Sequence, residues 1–551
     1  MKYPKNSLAQ TVIQLCKTKQ IKHIIISPGS RNAPLTIGFT SNPFFECYSI
    51  VDERCAAFFA LGIAQQLDEP VALICTSGSA LLNYYPAIAE AFYSDIPLVV
   101  LSADRPKHLV GIGDGQTINQ ENVFANHILY SANLKESEQN CNEEDINEAF
   151  NIAIGQKGPV HVNIPFAEPL YEFVDEPLVH PKGIEFNADL VEVEDLTKYG
   201  SIWYNAKRKL VLVGTNPPND IEQYYLDELA CDGSVIVFTE TTSNLHHDNF
   251  FPSIDKIIAP LNTSEFEKLQ PDIVLTFGGL IVSKKVKAFL REFKPKHHWH
   301  VDSKKANDTF FILSKHFKCP VNSFFKAFLN NYESTQSDYF NYWNTIKQAR
   351  HQKHADYLGK IPFSDLVVFE TILKSIPNNS MLQLSNSATV RYAQLFNLNK
   401  TLKVFCNRGT SGIDGSTSTA IGAATVFEEQ TVFITGDLSF FYDSNALWNN
   451  YIPKNFRIIV INNGGGGIFR ILPGNKNTEK FDTFFETNHQ LSAKQLCEMY
   501  GFEYSCAKDL TQINTILKTY YNESNTPKLL EIITPTKVND GVLLNYFKNL
   551  V

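Results

Sequence analysis

Short apolar runs alternate with longer helical stretches along the whole chain. This alternation is typical of βα units, in which helices cover both faces of a sheet of buried parallel strands. The runs with the length and composition of buried strands fall into three groups. They are residues 23–27, 71–75, 97–102 and 160–164 in the first group, 209–213, 234–239 and 272–277 in the second, and 381–384, 431–435, 456–461 and 529–533 in the third.

Two stretches of weak periodicity separate these groups. Residues 171–195 are rich in Glu, Asp and Pro and are interpreted as a linker, whereas residues 331–364 are charged and predicted to be helical. A chain of 551 residues is also too long for one hydrophobic core and suggests about three domains. The sequence therefore predicts an α/β fold of three doubly wound parallel-sheet domains, at residues 1–180, 195–335 and 350–551.

Composition narrows the classes of function. A net charge of −9 argues against a general nucleic-acid-binding protein. The sequence has no run of about 18 uncharged apolar residues and no apolar signal core, so we expect no membrane span and a cytoplasmic protein. The ten cysteines form no Cys-x-x-Cys pair and are interpreted as reduced core residues. The pairs His246-His247 and His297-His298 lack partners at metal-ligand spacing and are interpreted as surface or loop histidines.

Two oxygen-bearing side chains follow neighbouring strands of the third group. Asp437 ends the segment Ile-Thr-Gly-Asp, and Asn463 lies 26 residues later in Asn-Asn-Gly-Gly-Gly-Gly, with one crossover helix expected at 443–450. The carboxyl ends of parallel strands face one crevice, so a carboxylate and an amide can converge there. Both are hard oxygen ligands that suit Mg²⁺. The alternative is two ordinary strand-end turns in which Asp and Asn serve turn chemistry.

The first group carries two further candidates. Ser-Pro-Gly-Ser-Arg at residues 27–31 ends a strand and opens a helix, which presents backbone N–H groups to an anion, and Arg31 adds a planar fork suited to a carboxylate. Glu53 lies at a strand end before the small-residue helix 55–62 and can be partly buried, which would favour a protonated carboxyl group. The alternative for Glu53 is a solvated charge paired with Arg54.

Seven motifs in one collinear order identify a family resemblance. They are Ser-Pro-Gly-Ser-Arg at 27–31, Asp-Glu-Arg at 52–54, Thr-Ser-Gly-Ser-Ala at 76–80, Ser-Ala-Asp-Arg-Pro at 102–106, Asn-Arg-Gly-Thr-Ser-Gly-Ile-Asp-Gly at 407–415, Gly-Asp-Leu-Ser at 436–439 and Asn-Asn-Gly-Gly-Gly-Gly-Ile-Phe at 462–469. The set resembles the 2-succinyl-5-enolpyruvyl-6-hydroxy-3-cyclohexene-1-carboxylate synthases of menaquinone biosynthesis, which are thiamine-diphosphate enzymes. The resemblance implies thiamine-diphosphate-type domains and the cofactors thiamine diphosphate and Mg²⁺ or Mn²⁺.

The resemblance also implies roles for individual residues. Glu53 matches the carboxyl group that activates the cofactor pyrimidine, and Asp437, Asn463 and the Gly465 carbonyl match the metal ligands. Ile413 matches the apolar wedge under the cofactor, and Ile468 and Phe469 are expected to line the same cavity. The substrate-facing positions are Ser30, Arg31, Arg105, Gln116, Lys284, Ser387, Arg391 and Arg408.

The implied reaction decarboxylates 2-oxoglutarate and adds the resulting four-carbon unit to isochorismate. Each substrate carries two carboxylates, which explains a cluster of cations in an acidic protein. Ser387 and Arg391 are four residues apart and would share one helix face. Proton transfers after Glu53 are left between Gln116, the cofactor amine and water. Lys285 lies where relatives can carry Arg, so its role is open.

Two alternatives and one assembly prediction complete the interpretation. The chain could be another thiamine-diphosphate carboligase of the acetolactate-synthase type, or a non-catalytic binding protein that keeps the fold. The cations argue against the first, and the joint presence of Glu53, Asp437 and Asn463 argues against the second. Because domains of different subunits meet at the cofactor in this superfamily, the resemblance implies a homo-oligomer, at least a dimer with shared active sites.

Overall fold

The computed structural model describes residues 2–186, 193–330, 333–471, 476 and 478–551. Three parallel sheets account for its architecture, and a two-stranded antiparallel ribbon pairs Tyr3–Pro4 with Phe173–Val174. The predicted α/β class is confirmed. The domain bounds 1–180, 195–335 and 350–551 stay predictions. None of the described helices is both long and apolar enough to cross a membrane.

The N-terminal sheet has six parallel strands in the order β3-β2-β4-β5-β7-β6. The strands of this part of the chain are β1 (Tyr3–Pro4), β2 (His23–Ile26), β3 (Glu46–Ser49), β4 (Val71–Cys75), β5 (Leu98–Asp104), β6 (Tyr130–Asn133), β7 (Val160–Pro165) and β8 (Phe173–Val174). The helices are α1 (Ser7–Thr18), α2 (Ala33–Thr40), α3 (Glu53–Leu67), α4 (Ser79–Asn83), α5 (Tyr85–Ser94) and α6 (Gln139–Gln156).

The middle sheet has five parallel strands in the order β10-β9-β11-β12-β13. Its strands are β9 (Lys209–Val213), β10 (Val235–Thr239), β11 (Ile273–Phe277), β12 (His297–Val301) and β13 (Leu313–Phe317). The helices around it are α7 (Thr197–Asn205), α8 (Gln223–Ala230), α9 (Ile254–Ile258), α10 (Thr263–Leu269), α11 (Lys284–Glu292) and α12 (Val321–Phe328).

The C-terminal sheet has six parallel strands in the order β15-β14-β16-β17-β19-β18. Its strands are β14 (Met381–Leu384), β15 (Lys403–Phe405), β16 (Thr431–Gly436), β17 (Phe456–Asn462), β18 (Glu503–Ala507) and β19 (Lys528–Ile533). The helices are α13 (Tyr339–Leu358), α14 (Asp365–Ser375), α15 (Ala388–Ala393), α16 (Ser416–Thr425), α17 (Asp437–Tyr442), α18 (Glu479–Phe481), α19 (Lys494–Tyr500), α20 (Leu510–Tyr520) and α21 (Asn539–Asn549).

The first and third sheets share one strand order, counted within each domain as 2-1-3-4-6-5. The central strands of both sheets are buried on both faces, because alternate residues enter different cores. In β4, for example, Leu73 packs in the core that contains α3, whereas Ala72 and Ile74 pack in the core that contains α1 and α6. This two-sided burial makes the strands continuous apolar runs, which is why the sequence shows them so clearly.

The N-terminal and C-terminal domains share one of these cores through the pair α3 and α16. The two helices meet through glycines. A Cβ on Gly62 would lie 2.1 Å from the Thr419 carbonyl oxygen, and one on Gly422 would lie 2.0 Å from the Phe59 carbonyl oxygen. Glycine therefore permits a backbone-to-backbone approach that joins the two domains tightly.

The structure corrects several local predictions. The helix expected at 443–450 is instead α17, which begins at Asp437 because a glycine-terminated strand delivers the chain directly into it, and a 3₁₀ turn (Ser444–Leu447) follows. Cys141 and Cys231 are exposed rather than in a core, although all ten cysteines are unpaired thiols. His298 is not at the surface: it is buried on β12, where Nε2 lies 3.0 Å from the Thr276 hydroxyl.

The interdomain stretches differ in character. Residues 171–186 run along the N-terminal domain, where the Gln10 side chain accepts from the Leu178 N–H and the Gln14 side chain donates to the Val179 carbonyl. Residues 187–192 of the predicted linker lie outside the described part of the chain, and its last residues, 193–195, lead into α7. In the second stretch the predicted helix is α13, while residues 331 and 332 also lie outside the described part.

Candidate active site

Four neighbouring strands of the C-terminal sheet, β15, β14, β16 and β17, end at the same edge with predicted site residues. Arg408 follows β15, Ser387 follows β14, Asp437 follows β16 and Asn463 follows β17. In a doubly wound sheet this carboxyl edge, near the point where strand order reverses, is where ligands bind. The topology therefore brings together residues that are far apart in sequence.

Asp437 lies at the N-terminus of α17 and is buried. Its Oδ2 accepts the N–H groups of Gly464 and Gly465 at 2.9 and 3.0 Å, and its Oδ1 accepts the Leu438 N–H at 2.7 Å. The turn can make these bonds because Gly464 and Gly465 have φ of +80° and +154°. Backbone N–H groups thus fix the carboxylate against the turn at residues 463–465.

Asn463 is oriented by Asp365, at the start of α14. The Asn463 amide donates to Asp365 Oδ2 at 3.0 Å, and the Thr534 hydroxyl donates to the other carboxyl oxygen at 2.6 Å. Burial raises the pKa of Asp365 to about 6, although the bonds from Thr534 and Asn463 lower it. With its amide nitrogen committed, Asn463 turns its Oδ1 inward, and that buried oxygen has no hydrogen-bond partner among the described residues.

An unpartnered buried oxygen beside a fixed carboxylate suits a hard divalent cation. The Gly465 carbonyl, which accepts one N–H from Gly467 at 3.0 Å, keeps a second lone pair for the same ion. No group of three or more His, Cys, Asp or Glu side chains in the described parts of the chain could hold a metal. A cation here would therefore combine one carboxylate with neutral oxygens and take further ligands from a bound phosphate.

Two side chains that sequence reasoning missed support this arrangement. Asp365 sets the Asn463 amide from 98 positions away, and His489 Nε2 lies 3.3 Å from Asp437 Oδ2. The His489 backbone N–H also donates to the Gly464 carbonyl at 3.1 Å. Neither residue belongs to a local motif, so the signal exists only in the folded chain.

Replacing Asp365 with alanine is expected to weaken Mg²⁺ affinity about 10- to 100-fold, the usual effect of losing a residue that orients a metal ligand. The reason is that Asn463 would then be free to rotate its oxygen away from the site. Mg²⁺ titration at saturating thiamine diphosphate measures the effect, and thermal unfolding checks that the variant is folded. An unchanged Mg²⁺ affinity in a folded variant would show that Asp365 does not set the site.

The segment 407–415, here called the site loop, brings apolar and cationic groups to the same place. Ile413 is 37% exposed, and its carbonyl accepts at 2.7 Å the hydroxyl of Ser439, which lies two residues after Asp437 on α17. Ile468 is half-buried and Phe469 is 37% exposed in the 3₁₀ turn Gly467–Ile471, which follows the predicted metal ligands. These apolar side chains are available to contact a bound cofactor.

Arg391 and Arg408 are neighbours at this edge and contact neutral acceptors. Arg408 is buried, and its guanidinium donates to Asn386 Oδ1 at 2.6 Å; Arg391 donates to the Ser387 carbonyl at 2.6 Å. Burial lowers the pKa of Arg391 and the charge of Arg408 lowers it further, whereas the nearby Asp255 carboxylate raises it. Two adjacent guanidinium groups whose hydrogen bonds go to neutral oxygens are suited to an anionic ligand.

The middle domain contributes α11, whose first residue is Lys284. Glu240, at the end of β10, accepts the N–H groups of Val282 and Ser283 at 2.6 Å each and so holds the start of this helix. Burial lowers the pKa of Lys287, Glu240 raises it, and Arg408 lowers it, which places α11 beside Arg408. Lys284 is exposed. Lys285 lies 4.7 Å from the centre of the Phe547 ring.

The N-terminal sheet repeats the arrangement at its own carboxyl edge. Arg31 is buried, donates to the Phe166 carbonyl at 2.9 Å and pairs with Glu168 at 3.1 Å. Arg105 lies 3.4 Å from Asp114. These cations therefore already have acidic neighbours within the chain. Ser30, which precedes Arg31, and Gln116, whose side chain donates to the Ser77 carbonyl at 2.7 Å, are both exposed.

Glu53 is the first residue of α3 and is half-buried, and its carboxylate accepts from the Asn83 side chain at 3.1 Å. Arg54 points elsewhere: it donates to the Tyr442 carbonyl at 2.9 Å and lies 3.8 Å from Asp443. The alternative of a Glu53–Arg54 surface pair is therefore not supported. Within the described residues, no hydrogen bond or ion pair connects Glu53 with Asp437 or Asn463 within one chain.

The chain belongs to the thiamine pyrophosphate enzymes, because three family models match it in order. They are "Thiamine pyrophosphate enzyme, N-terminal TPP binding domain" at residues 6–126, "Middle domain of thiamine pyrophosphate" at 192–384 and "Thiamine pyrophosphate enzyme, C-terminal TPP binding domain" at 387–532. The chain belongs, within these enzymes, to the 2-succinyl-5-enolpyruvyl-6-hydroxy-3-cyclohexene-1-carboxylate synthase family.

Full-length relatives with that name show that the chain belongs to this family. The chain is 59% identical to the synthase of Flavobacterium psychrophilum and 57% identical to that of Flavobacterium johnsoniae, with 100% of each chain covered. It is 37% identical to the synthase of Porphyromonas gingivalis over 97% of this chain and 96% of the relative. The family resemblance seen in the seven motifs is confirmed.

Proposed function

We propose that the chain catalyses the thiamine-diphosphate-dependent decarboxylation of 2-oxoglutarate and the conjugate addition of the four-carbon unit to isochorismate. The product is 2-succinyl-5-enolpyruvyl-6-hydroxy-3-cyclohexene-1-carboxylate. The observation that carries the proposal is one sheet edge that combines the unpartnered Asn463 oxygen and Asp437 with the neighbouring pair Arg391 and Arg408. The acetolactate-type alternative is not favoured, because the full-length relatives are named 2-succinyl-5-enolpyruvyl-6-hydroxy-3-cyclohexene-1-carboxylate synthases.

Asp437, Asn463 and the Gly465 carbonyl would hold Mg²⁺ or Mn²⁺ and, through it, the cofactor diphosphate. Ile413, Ile468 and Phe469 would contact the cofactor rings. Thiamine diphosphate, when bound, supplies the electron sink that decarboxylation of a 2-oxo acid requires. The contribution of the chain is binding, orientation and control of protons.

The cations would orient the substrate carboxylates. Arg391 and Arg408, with Lys284 nearby, can form charge-assisted hydrogen bonds to one end of a substrate, and Ser387 lies beside them. Arg31 and Arg105, with Ser30 and Gln116, would serve a second anionic group from the N-terminal sheet. Because Arg31 and Arg105 have acidic neighbours, a substrate carboxylate would share these guanidinium groups with Glu168 and Asp114 or displace them.

Glu53 would hold a proton at the pyrimidine ring nitrogen of the cofactor. A carboxyl group can donate that hydrogen bond and can also exchange the proton. An amide can donate the hydrogen bond but cannot exchange a proton. Gln116 is the chain's candidate for guiding later proton transfers. Its exposed side chain lies in the segment that follows the carboxyl end of β5, where it donates to the Ser77 carbonyl.

We infer a homo-oligomer, at least a dimer with shared active sites, because domains of different subunits meet at the cofactor in the superfamily that the chain resembles. The contact of Glu53 to Asn83 lies within its own domain and leaves room for this arrangement. Ten unpaired thiols suit a reducing compartment, and we place the enzyme in the cytoplasm.

The first half of the reaction gives a direct test. Release of CO₂ from 2-oxoglutarate, dependent on thiamine diphosphate and Mg²⁺, is expected without isochorismate, because decarboxylation precedes addition. An enzyme that releases CO₂ from pyruvate but not from 2-oxoglutarate would favour the acetolactate-type alternative instead.

Single alanine variants at Arg31, Arg105, Arg391 and Arg408 are expected to raise KM for at least one substrate. Loss of a charge-assisted contact to a carboxylate costs about 1.5–3 kcal/mol, or roughly ten- to a hundredfold in apparent affinity. Steady-state kinetics with each substrate varied separately measures the change, and a cofactor titration should stay near wild type.

Arg208→Ala is the matched control, because Arg208 precedes β9 at the opposite, amino edge of the middle sheet and donates to the Glu267 carbonyl. It should leave both KM values unchanged. If all four variants at the strand-end arginines also keep both KM values and kcat, the cationic-pocket account is wrong.

A further inference from the structure

Glu90, on α5 of the N-terminal domain, is a buried carboxylate with partners in another domain. It is 1% exposed, and its oxygens accept the N–H groups of Gly409 and Thr410 at 2.6 Å each and the Thr410 hydroxyl at 2.8 Å. A fourth bond comes from Ser94 of the same helix at 2.9 Å. Three of the four bonds therefore cross more than 300 positions of sequence to reach the site loop.

The site loop is held from its other side by Asn386. The Asn386 amide donates to the carbonyls of Asn407 and Gly412 at 2.6 and 2.7 Å, and its oxygen accepts from the Arg408 guanidinium at 2.6 Å. The segment that carries Arg408 is thus clamped between a C-terminal-domain amide and an N-terminal-domain carboxylate. Both sets include charge-assisted bonds, because Glu90 is a carboxylate acceptor and Arg408 is a cationic donor.

The fit at Gly409 is close. A Cβ there would lie 2.6 Å from the Glu90 carbonyl oxygen and 2.7 Å from the Ser94 hydroxyl. A glycine is therefore required for the loop to reach α5, so the contact depends on the residue type at position 409.

The joint between the two domains does not depend on this contact. The glycine-mediated pair α3 and α16 and their shared core already hold the domains together. Glu90 instead accepts the backbone N–H groups of the two residues that directly follow Arg408, in the segment that leads to Ile413. These hydrogen bonds therefore act on the position of the site loop.

We propose that Glu90 is a positioning residue that fixes the site loop and thereby aims the Arg408 guanidinium at its substrate carboxylate. This rests on the proposed function only for the identity of the ligand. The N-terminal domain would then shape the substrate pocket through its own chain's C-terminal domain, in addition to supplying Glu53.

Glu90→Gln keeps the side-chain shape but replaces one acceptor oxygen with a donor, so at least one loop N–H loses its partner. We expect KM for the substrate that Arg408 contacts to rise about tenfold, equivalent to about 1.4 kcal/mol, with a smaller change in kcat. We also expect faster hydrogen–deuterium exchange at the backbone amides of Gly409 and Thr410. Ser94→Ala, which removes the one bond from within α5, is the matched control and should change neither quantity.

A double-mutant cycle separates positioning from general damage. If Glu90 acts through Arg408, adding Glu90→Gln to Arg408→Ala should raise KM little beyond Arg408→Ala alone, because the group being positioned is already absent. Fully additive effects on KM would overturn the proposal. So would a folded Glu90→Gln enzyme with wild-type KM and wild-type exchange at Gly409 and Thr410.

Two variants in the site loop test the role of Glu90 if the Glu90→Gln enzyme fails to fold. Thr410→Val removes only the hydroxyl donor and Gly409→Ala forces the loop away from α5, so both should raise the same KM and speed the same exchange; wild-type values in both would contradict the proposal. If the wild-type enzyme converts neither 2-oxoglutarate nor isochorismate, the proposed function fails. The exchange measurement still decides whether Glu90 fixes the loop.

Discussion

Glu53→Gln is expected to bind thiamine diphosphate with near-normal affinity and to lose turnover by about 10²–10⁴-fold, the usual contribution of a positioned acid or base. Glutamine matches glutamate in shape and can still donate a hydrogen bond to the pyrimidine ring nitrogen. It cannot exchange a proton there. The small change in bulk makes misfolding an unsuitable explanation for a large loss, since Glu53 is half-buried and its carboxylate accepts one side-chain bond among the described residues, from Asn83.

The measurement is kcat by steady-state kinetics together with a calorimetric titration of the cofactor. Glu46→Gln is the matched control, because Glu46 lies on β3, just before the same turn, and its carboxylate pairs with Lys22 and His23. That variant should keep its turnover. Near-normal turnover of Glu53→Gln would remove Glu53 from the mechanism.

Asp437→Ala is expected to lose Mg²⁺-dependent binding of thiamine diphosphate by at least about a hundredfold, because even residues that merely orient metal ligands are worth about 10–100-fold. Two effects add. The metal loses the one carboxylate among its three predicted ligands, and the N–H groups of Gly464 and Gly465 lose the acceptor that shapes the turn. Cofactor titrations over a range of Mg²⁺ concentrations measure the loss.

Asp509→Ala serves as the control for this experiment, since Asp509 caps α20 in the same domain and, among the described residues, its side-chain hydrogen bond goes to the Gln512 N–H rather than to a site residue. Its cofactor affinity should match wild type. A dissociation constant for thiamine diphosphate that is unchanged by Asp437→Ala in saturating Mg²⁺ would show that the metal site has been misplaced.

The central strands could be predicted from the sequence almost to the residue. β4, β9 and β14 have the bounds expected from their apolar runs, because strands buried on both faces contain little else. Most of the strands that were missed lie at sheet edges: β3, β6, β13, β15 and β18. An edge strand is only partly covered. Glu46–Ser49, for example, exposes both of its end residues and therefore shows no continuous apolar run.

The missed strand β12 has a different cause. It lies inside the middle sheet, but it contains three histidines and a tryptophan, and hydrogen bonds rather than apolarity accommodate two of them. His298 and His300 both lie within hydrogen-bond distance of the Thr276 hydroxyl, at 3.0 and 2.8 Å. Burial lowers the pKa of each to about 4, so both are neutral at pH 7. A polar sequence can therefore occupy a central strand.

The residues of the candidate site likewise divide into those that the sequence could predict and those that it could not. Glu53, Asp437 and Asn463 lie in motifs at strand ends, so sequence and topology together predict them, and their roles stay predictions until tested. Asp365 and Glu90 could not be found, since each acts on a residue or loop in a distant part of the chain. Nothing in their own sequence neighbourhoods distinguishes them from ordinary helix residues. Only the folded chain shows what their carboxylates accept.

The most direct test of the account is a product assay. The purified enzyme is incubated with 2-oxoglutarate and isochorismate, with and without thiamine diphosphate and Mg²⁺, and the mixture is analysed by mass spectrometry. We expect a new species with the mass of isochorismate plus 2-oxoglutarate minus CO₂, formed only when both cofactors are present. The absence of an adduct when both cofactors are bound, or an adduct that forms equally without them, would contradict the proposed reaction.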